Sequence, residues 1–337
     1  MSAPPFAGRE ALLLVLLVLT YALGIWLSPF FLSAGNQADM LSAQMERALI
    51  VLPMALLIIA GEIDLSVASI AGLAGTVLAI QLGAGVPFVP ALLGSLLAGC
   101  AAGALNGVLV AWVGLPSMIV TVGTLALFRG LSFVLLGSEV VTSFPAWFTT
   151  FGFDRIGHLP LPWTIVLLVP IALVLGILLH ATTFGRQLYA MGLQPQVARF
   201  SGVPVRRIKL GLYILSGGIS ALAGLVLTAR ISSARADNAT GWELAVIAAV
   251  LLGGVNIYGG KGSLLGPLIA VWIFGALSNA LGLANLSTQL LQVIIGAILV
   301  ASVLLPNLLG DVAGGGRPLR SRIPFLTGHN PRREAQP

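Results

Sequence analysis

The sequence predicts an all-α polytopic membrane protein with about nine or ten transmembrane helices, some of them broken. Of its 337 residues, 58% are hydrophobic and only 8% are charged, whereas a soluble domain carries about a quarter charged residues. Apolar runs long enough to cross a bilayer recur along the chain. Lipid accepts only helices or closed barrels, and the alternating strands of a barrel are not visible in the sequence.

The first half of the chain divides into six apolar runs. They are 11–31, 48–60, 67–84, 86–113, 117–136 and 162–180. A short polar segment lies at 32–47, and the longest outer connection is predicted at 137–161. Three glycines recur at four-residue spacing in the fourth run, which indicates a face that packs closely on another helix or on a second subunit. These are Gly99, Gly103 and Gly107.

Residues 61–69 place two carboxylates, Glu62 and Asp64, between two apolar runs. Ionisable groups at membrane depth are costly and mark a site, a turn or an internal partner. Asp64 and Ser66 are residue types that cap helix N-termini, and both acids would lie near the positive end of the helix dipole. The segment is therefore predicted to be either a capped break between two helices or a break that lines a transport path or transmits motion.

Residues 181–207 form a second informative segment. Pro195 and Gly202 bracket a short predicted helix, because proline suits the first helical position and glycine the position after the end. Val197 and Phe200 share one side of that helix. Such a helix either docks on another protein or lies on lipid headgroups.

Basic residues predict the orientation. Lysines and arginines concentrate in and beside 181–207 and in the C-terminal tail, and Arg9 precedes the first run. The positive-inside rule makes all three regions cytoplasmic, so we expect an N-terminal segment 1–10, a membrane domain 11–309 and a flexible basic tail 310–337. The net charge of +6 then reflects topology, and no nucleic-acid partner is expected.

The second half contains another broken helix. After the run 208–229, an apolar stretch at 242–254 is too short for an ordinary span and leads into a glycine-rich segment at 255–263. Glu243 heads this stretch much as Asp64 heads the earlier one, which is typical of two related halves around a transport path, with chance similarity as the alternative. The runs 264–283 and 289–309 follow.

Several chemistries are excluded or unsupported. The lone Cys100 allows no disulfide framework. Residues 259–263 lack the spacing of a phosphate-binding loop. The three histidines are far apart in sequence, so neither a metal site nor a catalytic triad is predicted, and the chain is not expected to be an enzyme.

Five segments, in order, are similar to permease subunits of bacterial monosaccharide ABC importers, the family of the ribose, xylose, rhamnose and autoinducer-2 systems. The segments are Gly61 to Val67 (G-x-I-D-L-S-V), Leu115 to Thr124 with Arg129-Gly130, Gly185 to Gly202, Glu243 to Val250, and Gly253 to Gly262. The resemblance covers roughly residues 45–305. Ala68 and Ser117 stand where glycine and proline are commoner in that family, and the arginine-rich tail is additional.

The resemblance implies a multi-pass permease of the bacterial inner membrane, with both termini cytoplasmic, that carries a monosaccharide. It implies three partners besides membrane lipid: a second permease subunit, identical or related, ABC ATPase subunits that bind ATP and Mg, and a periplasmic sugar-binding protein. This chain would hold no cofactor. The sequence around Tyr258 and the presence of Glu62 favour the rhamnose or autoinducer-2 branch.

Two groups of residues are then candidates for function. The translocation path or helix break is predicted to include Glu62, Asp64, Ser66, Glu243 and Asn256. By resemblance, coupling to the ATPase would use Gly185, Arg186, Val197, Ala198, Phe200, Ser201 and Gly202. Two alternatives remain: an ion-coupled secondary transporter with Glu62 or Asp64 as its proton site, and a non-transporting membrane scaffold.

Overall fold

The computed structural model describes residues 7–157, 159–286, 289–290, 292–294 and 296–297. Within these residues the regular elements are helices, and β-structure is limited to two isolated bridges. The helices are α1 (Ala7–Leu27), α2 (Ala34–Ile59), α3 (Val67–Gly83), α4 (Phe88–Val108, extended by a π-helical turn over Leu109–Val113), α5 (Ser117–Leu136), α6 (Ala146–Phe153), α7 (Ile165–Ala181), α8 (Thr183–Leu193), α9 (Pro195–Phe200), α10 (Val205–Ile231), α11 (Trp242–Leu252) and α12 (Leu265–Leu283). The all-α prediction is confirmed.

Five described helices are long and apolar enough to cross a membrane: α2, α4 with its π-turn, α5, α10 and α12. A sixth candidate is formed if α7 and α8, which meet at a bend of 71°, count as one span. The part of α1 from Ala11 to Leu27, together with α3 and α11, forms shorter apolar helices. The total of nine or ten spans stays a prediction, because most of the run 289–309 and all of the tail 310–337 lie outside the described residues.

The predicted polar segment at 32–47 is instead the first half of α2. Ser33 caps this helix, its hydroxyl oxygen accepting a hydrogen bond of 3.3 Å from the Asn36 amide. Polar side chains along it have partners on other helices, as in the Asn36–Asn279 pair with α12. The helix therefore continues through a stretch that its composition assigned to a connection.

Helix α10 packs along α2, α3 and α4. A Cβ at Gly103 would strike the backbone of Tyr213, and one at Gly217 would lie 2.9 Å from Gly103 Cα. Gly99 and Gly107 face α10 in the same way. The glycine face thus packs on a helix of the same chain. Small residues allow this close approach of two backbones, which stabilises helix pairs in a membrane, where the hydrophobic effect does not drive helices together.

The second half of α2 is buried on all sides, from Ala48 to Ala60. Helices α7, α8, α10, α11 and α12 contact it. A helix that is apolar all round belongs in the interior of a bundle. The break that follows it is consequently enclosed by protein.

Candidate functional site

The break between α2 and α3 begins with a left-handed glycine. Gly61 has φ +82, its amide donates to the Ile58 carbonyl, and the Glu62 amide donates to the Leu57 carbonyl, each at 2.9 Å. This pair of bonds is the Schellman arrangement that closes a helix C-terminus. The chain then runs without helical bonding until α3 begins at Val67.

Asp64 is fully buried at the centre of this break. Its Oδ1 accepts hydrogen bonds from the Ser66 amide at 3.0 Å and the Ser66 hydroxyl at 2.6 Å, and its Oδ2 accepts one from the Ser216 hydroxyl at 3.0 Å. The N-cap residue of α3 is Ser66, and its own side chain makes no capping hydrogen bond. Asp64 instead binds the Ser66 amide and hydroxyl across the turn that precedes the helix, as aspartate side chains do in turns, and it also binds α10. Helix α3 begins at Val67, so Asp64 lies three residues before its first residue and is not its N-cap residue.

The same network reaches α4 through Asn106. Its Nδ2 donates to the Ser66 hydroxyl oxygen at 2.8 Å, while its Oδ1 is buried without a hydrogen-bond partner in the described chain. Sequence reasoning missed Asn106 and Ser216, because each is one polar residue within an apolar helix. Their signal was only that polarity, which is costly in a membrane helix and needs an internal partner.

Side chains also satisfy the backbone of the break at Ile63. Its amide donates to the Ser117 hydroxyl oxygen at 3.4 Å rather than to a helical carbonyl. Its carbonyl accepts from the Thr121 hydroxyl at 3.3 Å and the Tyr213 hydroxyl at 3.5 Å. Non-helical backbone at membrane depth is tolerated where protein supplies such partners.

Glu62 forms an ion pair with Lys209, near the start of α10. Both side chains are largely buried. Loss of one member of a pair in such a position leaves an uncompensated charge. The pair thus ties the break to α10 at a second point, beyond the bond from Ser216.

The glycine-rich segment of the second half meets the first break. The Gly260 amide donates to the Ile59 carbonyl at 2.8 Å. A Cβ at Gly259 would lie 2.8 Å from the Gly192 carbonyl oxygen and 3.1 Å from Gly61 Cα. Three backbone segments, the end of α2, the end of α8 and residues 259–260, therefore touch without intervening side chains.

The two remaining residues predicted for the path lie away from the Asp64 network. Asn256 shapes its own loop, with its Oδ1 accepting from the Tyr258 amide at 3.0 Å. Glu243 is half-buried in the first turn of α11, and its charge acts on Arg129. Arg129 in turn donates to the carbonyls of Ala236 and Asn238 at 2.7 Å each.

The predicted short helix is present as α9, Pro195–Phe200, followed by Gly202 with φ +84. Val197 is 55% exposed and Phe200 is 91% exposed, on the side that the spacing predicted. Ala198 is buried, and its carbonyl accepts from the Val203 amide at 3.0 Å. The helix thus exposes the apolar side chains of Val197 and Phe200, while Ala198 is buried against the rest of the protein.

Helix α8 holds α9 against the rest of the bundle. The Tyr189 hydroxyl donates to the Gly262 carbonyl at 2.7 Å. Gly185 is buried where a Cβ would strike the Leu179 backbone, whereas Arg186, Ser201 and Gly202 are exposed. The predicted coupling residues therefore divide into buried positions that fix the loop and exposed positions free to make contacts.

Comparison with known proteins assigns the chain to a family. Residues 38–303 match the family model described as branched-chain amino acid transport system / permease component. The chain is 36% identical to the ribose import permease protein RbsC of Escherichia coli K12 over 296 residues, which is 87% of this chain and 92% of that protein. It is also 36% identical to the autoinducer 2 import system permease protein LsrD of Yersinia pseudotuberculosis (strain YPIII) over 261 residues, 76% of this chain and 78% of LsrD.

LsrD of Photorhabdus luminescens is 34% identical over 261 residues, with the same coverage. No solved structure gives a significant match. Among the described residues, no group of three or more His, Cys, Asp or Glu side chains could hold a metal ion.

Proposed function

This chain belongs to the permease-component family of branched-chain amino acid transport systems, and we propose that it is the membrane subunit of an ATP-driven importer for a monosaccharide or a similar small molecule. The family match covers most of the chain. The relatives named above are a ribose import permease and an autoinducer 2 import permease, and they support a sugar or sugar-like cargo rather than an amino acid.

The observation that carries this proposal is the path of contacts from α9 to the Asp64 break. Phe200 and Val197 form an exposed apolar site on α9, and we assign it to the groove of a partner ATPase. Truncating a buried aromatic anchor in such an interface costs about 2 kcal/mol or more. ATP and Mg would bind in that partner, and this chain would supply the surface that receives its motion.

Movement of α9 can reach the break at Gly61 through a short series of contacts. Helix α9 follows α8, and Gly192 near the end of α8 is in backbone contact with Ile59 and Gly260. Ile59 is two residues before Gly61, where the break starts. Displacement of α8 therefore shifts the break directly, since close-packed backbone has no flexible side chain to absorb the movement.

Three further assignments belong to the proposal. The chain works beside a second permease subunit, identical or related, and a periplasmic binding protein delivers the cargo. The membrane is the bacterial inner membrane, with both termini in the cytoplasm. The membrane domain spans residues 11–309, between a short segment 1–10 and a basic tail 310–337.

A proton-coupled transporter is the rival function, with Asp64 or Glu62 as the proton site. Each carboxylate already has protein partners: Asp64 accepts three hydrogen bonds and Glu62 pairs with Lys209. A carboxylate that must take up and release a proton needs access to water along the path. This bonding favours a structural role for both acids.

Reconstitution tests the proposed function. The chain is placed in proteoliposomes with the ATPase and binding protein that co-purify with it, and uptake of radiolabelled D-ribose, D-xylose and L-rhamnose is measured. We expect uptake of at least one sugar that requires ATP hydrolysis. Uptake by vesicles that contain this chain alone and carry a proton gradient would instead establish the secondary transporter.

A further inference from the structure

A cavity of about 240 Å³ lies between α2, α11 and α12. It is at the end of the bundle opposite α9: Arg47, in its wall, is twelve residues before Ile59, or about 18 Å along α2 at 1.5 Å per residue. Its polar and aromatic lining consists of Gln44, Arg47, Thr240, Trp242, Phe274, Ser278 and Gln292. None of the sequence motifs pointed to this cavity.

Arg47 supplies unused hydrogen-bond donors to the cavity. A guanidinium carries five N–H donors, and among the described residues only Gln44 accepts one, through its Oε1 at 3.1 Å from Arg47 Nη1. The neighbouring acid, Glu46, is engaged elsewhere, since its Oε1 accepts from Arg230 Nε at 2.5 Å. Four donors of Arg47 thus remain for a bound molecule.

Trp242 fixes Arg47 and lines the cavity beside it. The guanidinium carbon of Arg47 lies 4.9 Å from the centroid of the indole ring, a distance at which cation–π attraction holds the side chain in place. The indole belongs to the first turn of α11, directly after Thr240 and Gly241. The cavity wall therefore presents an oriented guanidinium beside an aromatic ring.

Gly275 makes room for the amide of Gln44. A Cβ at this position of α12 would lie 2.7 Å from Gln44 Cδ and 3.0 Å from Gln44 Nε2. The glycine lets the Gln44 side chain extend along α12, where its Oε1 reaches Arg47. The wall is in this way built to orient polar groups.

The lining fits a small neutral molecule with many hydroxyl groups. Amide and hydroxyl side chains both donate and accept, which matches sugar hydroxyls, and Trp242 and Phe274 present apolar surface to C–H groups. The described lining contains no carboxylate that could pair with the ammonium group of an amino acid. The volume is below the range of roughly 300–1,000 Å³ typical for drug-sized ligands, so the cavity suits a monosaccharide.

We propose that this cavity is a subsite that binds the transported monosaccharide, with Arg47 and Gln44 as hydrogen-bonding groups and Trp242 as an apolar contact. The inference rests on the proposed function for the class of cargo. It adds the location of the subsite, at the end of α11 farthest from the ATPase-facing helix, and the three side chains that recognise the sugar.

Thiol protection tests the subsite without any partner protein. Ser278→Cys is made in a Cys100→Ser background, and the rate of maleimide labelling of the purified chain is measured with D-ribose, D-xylose or L-rhamnose at high concentration, or with L-leucine. We expect at least one sugar to slow labelling and L-leucine to have no effect. Ser138→Cys, exposed in the turn after α5, is the matched control, and its labelling should be unchanged by every compound.

Second-site variants identify the groups responsible. Trp242→Ala or Arg47→Lys, added to Ser278→Cys, should raise the sugar concentration for half-protection by about tenfold, as expected for loss of one aromatic contact or of the guanidinium hydrogen bonds. Trp26→Ala, which removes an exposed indole on α1, should leave it unchanged. Sugar-free labelling rates and gel filtration check that each variant is folded.

The outcomes separate the subsite from the proposed function. Protection by no sugar, or by L-leucine alone, overturns the subsite, even if the reconstituted importer takes up sugar. Protection that Trp242→Ala and Arg47→Lys leave intact overturns the assigned side chains. Sugar protection combined with no ATP-dependent uptake in the full system would keep the subsite and reject the ATP-driven importer.

Discussion

The Ser216 hydroxyl donates a hydrogen bond of 3.0 Å to Asp64 Oδ2, across 152 residues of sequence. It joins the middle of α10 to the break between α2 and α3. The Glu62–Lys209 ion pair joins the same two elements nearer the start of α10. Movement of α10 and movement of the break are therefore coupled at two points, and both points are open to mutation.

The ion pair predicts non-additive mutational costs. Lys209→Met leaves Glu62 buried without its partner and should destabilise the protein by about 3–5 kcal/mol. Glu62→Gln with Lys209→Met removes both charges, so the double variant should unfold at a higher temperature than Lys209→Met alone. The cycle is measured by thermal unfolding of the purified wild type, of each single variant and of the double variant. Costs that simply add would show that the two side chains do not interact.

Because of its close backbone contacts, we predict that Gly192 cannot be replaced by a residue with a side chain. Alanine normally stabilises a helix by up to about 1 kcal/mol relative to glycine, yet a Cβ here would strike the backbone of Ile59 and Gly260. Gly192→Ala should therefore lower stability by about 1–3 kcal/mol and reduce uptake. Gly176→Ala in α7, where a Cβ meets no atom within 4 Å, is the control. Equal behaviour of the two variants would contradict the packed contact.

The orientation can be tested at two exposed serines. Ser201→Cys lies in the segment 181–207 and Ser138→Cys in the connection 137–161, each in a background without Cys100, the chain's single cysteine. An impermeant thiol reagent should label Ser138→Cys in intact cells and Ser201→Cys only after permeabilisation, because the positive-inside rule makes 181–207 cytoplasmic. The reverse pattern would invert the topology.

The sequence predicted local features better than the network that connects them. The bounds of α5 and α9, the exposed pair on α9 and the short α11 all follow from proline, glycine and apolar spacing within a few residues. The partners of Asp64 and Glu62 do not, because Ser216, Asn106 and Lys209 come from helices far along the chain. Spacing along one helix shows which residues share a face but not which face of another helix meets it.

Composition also misjudged the first half of α2. Asn36, Asp39, Glu46 and Arg47 made residues 32–47 look like a polar segment between apolar runs, yet all four lie inside a helix. Glu46 pairs with Arg230 of α10, and Arg47 lies over the Trp242 ring of α11. A polar residue in a membrane helix signals an internal partner or cavity as readily as a loop, and the structure is needed to tell these apart.

We predict that substitution of Phe200 uncouples this chain from the ATPase without unfolding it. Its side chain is 91% exposed, so Phe200→Asp removes little packing and should leave thermal unfolding unchanged. If Phe200 enters the ATPase groove, the variant buries a charge there, and both ATPase co-purification and uptake should fall at least tenfold. Phe153→Asp, at an aromatic residue of α6 that is 73% exposed, should keep ATPase co-purification. Normal ATPase binding and uptake by Phe200→Asp would remove α9 from the coupling surface.

Substitutions of Asp64 separate its two possible roles. Asparagine keeps an oxygen for the Ser66 amide and hydroxyl, and its Nδ2 can donate to the Ser216 hydroxyl oxygen, which also accepts hydrogen bonds. Alanine leaves the Ser66 amide and the Ser216 hydroxyl without the carboxylate. Each buried group without a partner costs about 1–3 kcal/mol.

If Asp64 holds the break by hydrogen bonding, Asp64→Asn should support uptake near the wild-type rate, whereas Asp64→Ala should lose most uptake and unfold at a lower temperature. Both are compared at matched membrane levels in the reconstituted system. Ser216→Ala, which removes only the bond to α10, should fall between them. If Asp64 carries a proton instead, asparagine has no titratable group to replace it. An Asp64→Asn protein that inserts and folds normally but transports no better than Asp64→Ala would therefore count against the hydrogen-bonding role and favour the proton site.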